Sequence, residues 1–391
     1  MTQKLRILFM MDHVFLPRGG TEQHLVWLFN NLPPDCFELF FVVFSQLDCS
    51  PDMFPIPPLV LGDVFGNRKY TLLKRFRALV RYLCDNNIDI IHAFTPNDEV
   101  FACYAALFAR RNLGQSIQVV GQRRNIGYAM GTKHLIMRYF IRGFKINYLA
   151  NSRAAVEAAF FKEGIPRERL TVIYNPFSRS RWEAGQVSPI SRAELGFDAG
   201  DFVIGSVATI RRIKGYETLI RAARLVVDQH TNVRFLCVGS MYDAEYLREL
   251  QALTAELDLV HHVQWYGGID NPYRLLANFD LAVLSSYSES FSNSVLEYAA
   301  AGLPIVASDV GGMSEIITDG ENGFLIPPKQ PEILAEKIIT LIENPTLRNT
   351  YAGCVIETAR HNFDETVILK QYVEYYVNLS IAGLSASKNR G

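Results

Sequence analysis

Two glutamates eight residues apart, Glu289 and Glu297, are separated by Ser290-Phe291-Ser292-Asn293-Ser294-Val295-Leu296. The apolar run Leu281 to Leu284 precedes them, and a helical pattern closed by Gly302 and Pro304 follows, so the stretch reads as strand, loop and helix start. Small residues at a helix N-terminus expose successive backbone N–H groups that can cradle a diphosphate, and a carboxylate at each end can accept sugar hydroxyls. Ser294 and Glu297 also have the spacing of a capping box, which starts a helix without any ligand. The residues alone leave both readings open.

A second group is Thr209-Ile210-Arg211-Arg212-Ile213-Lys214-Gly215, between the apolar run Phe202 to Val207 and a helical pattern. Three cations at a helix start oppose the helix dipole and cost stability unless an anion joins them; a solvated basic turn is the simpler alternative. A third is Gly19-Gly20, at the turn between the opening strand and the first helix. Glycines there let backbone N–H groups approach a phosphate, although many turns need glycine for conformation alone. The dinucleotide fingerprint GxGxxG is missing, which argues against a dehydrogenase. No two aspartates stand at i and i+2, and the six cysteines form no CxxC pair and no zinc-type spacing, so no metal and no disulfide is expected.

These groups need elements to hold them. Strands over Leu5 to Met11, Phe37 to Phe44, Ile88 to His92, Ile117 to Val120 and Ile146 to Ala150 alternate with helical patterns over 72–83, 100–109 and 153–161. Periodicity fails between Pro176 and Gly200 and then resumes with strands Phe202 to Val207, Val233 to Val238, Val263 to Trp265, Leu281 to Leu284 and Pro304 to Ala307. A Gly-rich bend at 319–323 and helices near 331–343, 346–359 and 364–380 close the chain. Strands alternating with helices give parallel βαβ units, hence an α/β protein of two doubly wound halves, with ligands at the C-terminal strand ends.

With 391 residues, 49% of them hydrophobic and 20% charged, the chain is globular throughout and large enough for two domains. No stretch of about 18 apolar residues occurs, and the N-terminus lacks a cleavage site, so a cytoplasmic location is expected. The net charge of −1 is uneven: residues 1–175 hold 21 Lys and Arg against 14 Asp and Glu, whereas 176–391 hold 18 against 26. A basic first half suits an anionic partner. Its charge is modest and no recognition fold appears, which disfavours nucleic acid.

The order of Gly19-Gly20-Thr21-Glu22, Asn151-Ser152-Arg153, Val172 to Pro176, Arg211 to Gly215, and Glu289 with Glu297 followed by Ala300-Ala301-Gly302-Leu303-Pro304 resembles family 4 (group 1) of the retaining nucleotide-sugar glycosyltransferases. The resemblance covers roughly Arg6 to Asn378 and is most specific from Phe202 to Pro327. It implies a GT-B fold, in which two Rossmann-like domains face across a cleft. The first spans 1–175 and takes back a C-terminal crossover helix at about 364–384; 176–200 is the connection; 201–363 is the donor domain. It further implies a metal-independent, hexosyltransferase-type reaction that needs no cofactor beyond the nucleotide-diphosphate sugar, with a UDP-sugar the commonest donor.

By that resemblance Glu297 bonds the ribose hydroxyls, Glu289 the sugar hydroxyls, and the amides of Ser290, Phe291, Ser292 and Asn293 hold sugar and phosphate. Lys214 and Arg211, or alternatively Arg212, neutralise the diphosphate, Gly19 and Gly20 approach it from the first domain, and Gly239 completes the donor set. Glu289, Lys214 and Arg211 are then the catalytic group, working through leaving-group stabilisation. Two departures stand out. Thr209 occupies the position where many members carry the arginine, and Arg124 stands near the position of a donor-side histidine. Arg124 and His92 are therefore assigned to the acceptor or sugar side, with a satisfied buried histidine as the alternative for His92.

Basic amphipathic segments at 67–83 and 133–145 suit an anionic membrane surface or, equally, packing on the first domain's sheet. The function expected is transfer to a glycan or lipid-linked acceptor in polysaccharide, lipopolysaccharide or glycolipid synthesis, peripheral at the inner membrane face. The alternative is a GT-B scaffold that binds nucleotide or glycan without turnover.

Overall fold

Near-continuous apolar runs such as Ile7-Leu8-Phe9-Met10 and Leu281-Ala282-Val283-Leu284 are buried on both faces, as central strands of parallel sheets require. The structure is a computed structural model that describes residues 4–14, 20–47, 54–62, 72–114, 116–126, 139–241 and 243–388. The chain divides into two compact units, one of Met1–Asn151, Ala155–Ile173 and Ile368–Gly391, the other of Ser152–Ala154 and Tyr174–Val367.

The first unit is a seven-stranded parallel sheet in the order β3-β2-β1-β4-β5-β6-β7. Its strands are β1 (Leu5–Val14), β2 (Phe37–Leu47), β3 (Leu59–Val60), β4 (Ile90–Ala93), β5 (Gln118–Arg123), β6 (Ile146–Ala150) and β7 (Leu170–Val172). The helices between them are α1 (Gly20–Asn31), α2 (Leu72–Asp85), α3 (Pro96–Leu113) and α4 (Arg153–Glu163). Helix α3 starts well before the expected 100, because Thr95 and Asp98 form a complete capping box with Pro96 in the first turn. The strand order reverses between β1 and β4, so the C-terminal ends of these two strands flank the switch point.

The second unit is a six-stranded parallel sheet in the order β10-β9-β8-β11-β12-β13. It contains α5 (Arg179–Val187), β8 (Phe202–Val207), α6 (Tyr216–Val227), β9 (Val233–Val238), α7 (Ala244–Glu256), β10 (Val263–Gly267) and α8 (Tyr273–Leu276). There follow β11 (Leu281–Leu284), α9 (Asn293–Ala300), β12 (Ile305–Ser308), β13 (Phe324–Ile326), α10 (Pro331–Glu343) and α11 (Pro345–Asn362). Its switch point lies between β8 and β11, the two strands that lead into the Arg211–Lys214 and Glu289–Glu297 segments.

Residues 176–200, expected as a connection, are an integral part of the second unit. Ser178 caps α5, Asn271 Nδ2 donates to the Arg181 carbonyl at 2.6 Å, and Arg192 donates to Asp280 at 2.8 Å and to the Asn278 carbonyl at 3.0 Å. Side-chain bonds to residues flanking α8 replace the periodicity that a longer helix would show. Helix α12 (Glu365–Lys388) begins in the second unit and continues in the first, and it ends four residues beyond the 384 expected from the sequence. There Tyr372 and Tyr376 hydroxyls meet His24 Nε2 at 2.8 Å and His92 Nδ1 at 2.7 Å.

Candidate functional site

After β8 the chain passes Thr209 and Ile210 into a short 3₁₀ turn, Arg212–Lys214, and only then into α6, with Gly215 between them in the left-handed region at φ 65°. The three cations therefore do not sit on the first turn of α6, and two have internal partners. Arg212 bonds Glu249 on α7 at 2.7 Å and lies over the Tyr246 ring at 4.8 Å. Lys214 Nζ lies 2.5 Å from Glu289 Oε1. The exposed Arg211 guanidinium takes no partner among the described residues, so Arg211 rather than Arg212 is the cation at liberty to meet an anion.

The loop after β11 is strapped to this turn. Tyr287 N–H donates to the Ile213 carbonyl at 2.8 Å, Ser285 Oγ to the Gly215 carbonyl at 2.9 Å, and Ser286 Oγ to Glu289 Oε1 at 2.8 Å. From the other side Gly311, at φ 58°, lies so close that a Cβ there would stand 1.6 Å from the Glu289 carbonyl oxygen. Gly312 N–H donates to the Ser290 carbonyl at 3.0 Å. Glu289 is thus a fixed carboxylate with a cation and a hydroxyl on one oxygen. Its partly exposed position leaves it able to exchange Lys214 for a ligand's hydroxyls.

The capping box foreseen at Ser294 and Glu297 does not form. The N-cap of α9 is Ser292, whose side chain accepts from Val295 N–H at 3.3 Å. Ser292 stands two residues before the expected Ser294, and Gly312 N–H straps the Ser290 carbonyl just ahead of it. Glu297 is consequently free of a capping duty. It sits one turn into α9, where Arg181 Nη1 of α5 approaches it at 3.5 Å and Arg181 Nη2 donates to the Asp270 carbonyl at 3.1 Å. Burial pushes the Glu297 carboxyl up to about 7, with Arg181 pulling the other way. A carboxylate so poised gains from any hydroxyl donors that enter.

The remaining members of the segment face several ways. Ser290 Oγ lies 3.3 Å from Ser152 Oγ, and Asn293 Oδ1 accepts from Asn175 at 2.6 Å. Phe291 is buried with its ring against Tyr174 and Phe363, centroids at 5.5 and 5.6 Å, so only its backbone is available to a ligand. Gly239 follows β9, its N–H donating to the Gly267 carbonyl at 2.8 Å. Ser286, three positions before the Glu289 it bonds, was not foreseen, nor were Arg181, Gly311 and Glu315. Glu315 accepts from the N–H groups of Arg153 and Ala154 at 2.7 and 3.1 Å and from the Tyr174 hydroxyl at 2.9 Å. Nothing in the local sequence marks Arg181, Gly311 or Glu315, because each of these three acts on a residue far away in the chain.

Gly19 and the segment from Lys133 to Arg138 lie outside the described residues. Gly20 opens α1, and its carbonyl accepts from Arg124 Nη2 at 3.3 Å; burial brings the Arg124 guanidinium down to about 10. His92 is fully buried among Phe9, Phe94 and Tyr376, and burial brings its ring down to about 3. It presents no surface to a ligand, which corrects its assignment to the acceptor side in favour of a core histidine. Among the described residues no group of three or more His, Cys, Asp or Glu could hold a metal ion, and no helix is long and apolar enough to cross a membrane.

The chain is similar to several known proteins. The profile of the family described as glycosyl transferases group 1 matches residues 187–353. The lipopolysaccharide core biosynthesis glycosyltransferase LpsD of Rhizobium meliloti (strain 1021) is 30% identical over 207 residues, 53% of this chain and 57% of that one. The N-acetyl-alpha-D-glucosaminyl L-malate synthase of Bacillus anthracis is 23% identical over 298 residues, 75% of each. Among solved structures, Anabaena HepE in complex with UDP superposes with a TM-score of 0.81 at 26% identity, covering 96% of this chain and all of that one; HepE has also been solved with UDP-glucose.

Proposed function

We propose that the chain is a group 1 glycosyltransferase of GT-B fold that transfers a sugar, with retention and without a metal, from a UDP-sugar to a glycan or lipid-linked acceptor. The proposed setting is cell-surface polysaccharide or glycolipid assembly, at the cytoplasmic face of an anionic membrane. The UDP and UDP-glucose complexes of HepE support UDP as the donor nucleotide. The observation that carries the reading is the Lys214–Glu289 pair, held by Ser286 at the switch point of the second unit, with Arg211 exposed beside it.

In this reading the arriving diphosphate takes Lys214 and Arg211, and the released Glu289 carboxylate accepts hydroxyls of the donor sugar. The amides of Ser290 to Asn293 contribute N–H dipoles at the start of α9. Glu297 accepts the ribose hydroxyls. As the glycosidic bond breaks, negative charge grows on the leaving UDP, and the two cations stabilise it where a metal would otherwise serve. Among the described residues Glu297, the other carboxylate of this segment, is engaged by Arg181. Attack by the acceptor on the face the leaving group vacates is therefore the route proposed.

Thermal unfolding with UDP, GDP, ADP, TDP and CMP tests the donor assignment. UDP at about 100 times its dissociation constant is expected to add roughly 2.7 kcal/mol, with the shift lost in Glu297→Ala and Lys214→Ala. Release of UDP from UDP-glucose then separates an enzyme from a scaffold. Binding without turnover in wild type, across a panel of UDP-sugars and acceptors, would replace this reading with the non-catalytic one.

A further inference from the structure

We propose that one face of the first unit, made by α2, α3 and the turn at 139–145, is a docking surface for an anionic lipid bilayer. The inference rests on the membrane setting proposed above and identifies the surface responsible. Helix α2 buries Leu79 and Leu83 yet leaves Leu72 and Leu73 49% and 57% exposed. On α3, Leu107 and Phe108 are 42% and 46% exposed, and in the turn Tyr139 and Phe140 reach 74% and 56%. Exposed apolar residues on monomeric proteins are normally scattered singly. Here they are joined: the Phe76 and Phe108 rings meet edge-on at 5.6 Å, linking α2 to α3. The Tyr104 hydroxyl donates to the Phe140 carbonyl at 3.0 Å, and its ring meets Phe144 at 5.2 Å, linking α3 to the turn.

The same elements carry exposed cations: Lys74 and Arg77 on α2, Arg110 and Arg111 at the end of α3, and Arg142 in the turn. Arg111 lies over the Phe108 ring at 5.7 Å, placing charge beside an apolar anchor. Against them stands one exposed carboxylate, Asp85 at the far end of α2, already 4.0 Å from Arg81; Asp98 and Glu99 of α3 are buried. Large apolar side chains interleaved with cations suit the headgroup region, where the charge attracts anionic lipid and the side chains insert shallowly. A second copy of the chain fits poorly, because a two-fold contact on this face would set cations against cations.

Flotation of the whole chain with vesicles of phosphatidylcholine alone, and of phosphatidylcholine mixed with phosphatidylglycerol, tests the surface. The chain is expected to float with the mixed vesicles at low salt, to release at high salt, and to ignore pure phosphatidylcholine. Lys74→Gln with Arg77→Gln should lower partitioning about 30-fold, at about 1 kcal/mol for each cation. Leu72→Ser with Leu73→Ser should lower it about tenfold. UDP titration of the same proteins, expected to be unchanged, reports folding and reads the donor site alone. Vesicle binding without UDP binding would therefore refute the donor assignment and leave the surface standing. No binding to the mixed vesicles, binding by both variants at the wild-type level, or a concentration-dependent dimer abolished by these same substitutions would overturn the surface.

Discussion

Glu297 is a carboxylate whose largest environmental influence is loss of water, which pushes it up to about 7, while Arg181 opposes. A carboxyl raised on folding stabilises the protein fully only below its unfolded value, and that contribution is lost as pH rises from about 4.5 towards 7. Glu297→Gln should therefore melt at a higher temperature than wild type at pH 8 and differ little at pH 5. Because ribose hydroxyls donate to the ionised form, UDP affinity should rise about tenfold between pH 6 and pH 8. In Glu297→Gln calorimetric titration should find a weaker affinity that no longer depends on pH. A wild-type affinity flat across that range would remove Glu297 from the ribose. Lys214→Ala differs in kind: it should cost about 10²- to 10³-fold in turnover, as loss of one charge-stabilising donor does, with a modest change in melting because both partners are partly exposed.

At the scale of elements, helix α9 starts at Ser292 and not at Ser294. Ser292→Ala is expected to cost about 1 kcal/mol, or about 3 °C in melting temperature, and Ser294→Ala almost nothing. The reverse order would restore the capping box and return Glu297 to a structural duty. The glutamate pair, the lysine and the central strands were legible because each is a local pattern: an apolar run, a turn, a helix start. β3, β7 and β13, with two or three residues each, carry too little pattern to register, and α5 was hidden because Gly185 and polar residues break its periodicity while bonds to α8 fix it. Gly311 was missed for a related reason. Its demand comes from the Glu289 carbonyl more than twenty positions earlier, and no sequence window joins them. Gly311→Ala, at a positive φ with no room for a Cβ, should lower both the melting temperature and UDP affinity.

Across the whole molecule the sequence indicated two α/β units and a returning C-terminal helix, and the strand orders and the Tyr372 and Tyr376 bonds give them physical form. His24 and His92, the acceptors or donors at those hydroxyls, are both held below the usual histidine range, with burial the largest cause. A histidine lowered on folding stabilises above its unfolded value, and that stability is lost as pH falls from about 6.5 towards 3. The melting temperature should accordingly fall across that window, and less steeply in His92→Gln than in wild type. Tyr376→Phe, which leaves His92 Nδ1 without its hydroxyl, should cost about 1–3 kcal/mol at neutral pH. Equal acid slopes in wild type and His92→Gln would place the acid-sensitive group elsewhere.

The central claim is that a nucleotide diphosphate binds the second unit through Glu297 and the Lys214–Glu289 pair, and calorimetric titration of UDP into wild type, Glu297→Ala and Lys214→Ala tests it most directly. Saturable one-to-one binding in wild type, weakened at least tenfold in each variant while both stay folded, is the result expected. Wild-type affinity in both folded variants, or no heat of binding with millimolar UDP, would contradict it.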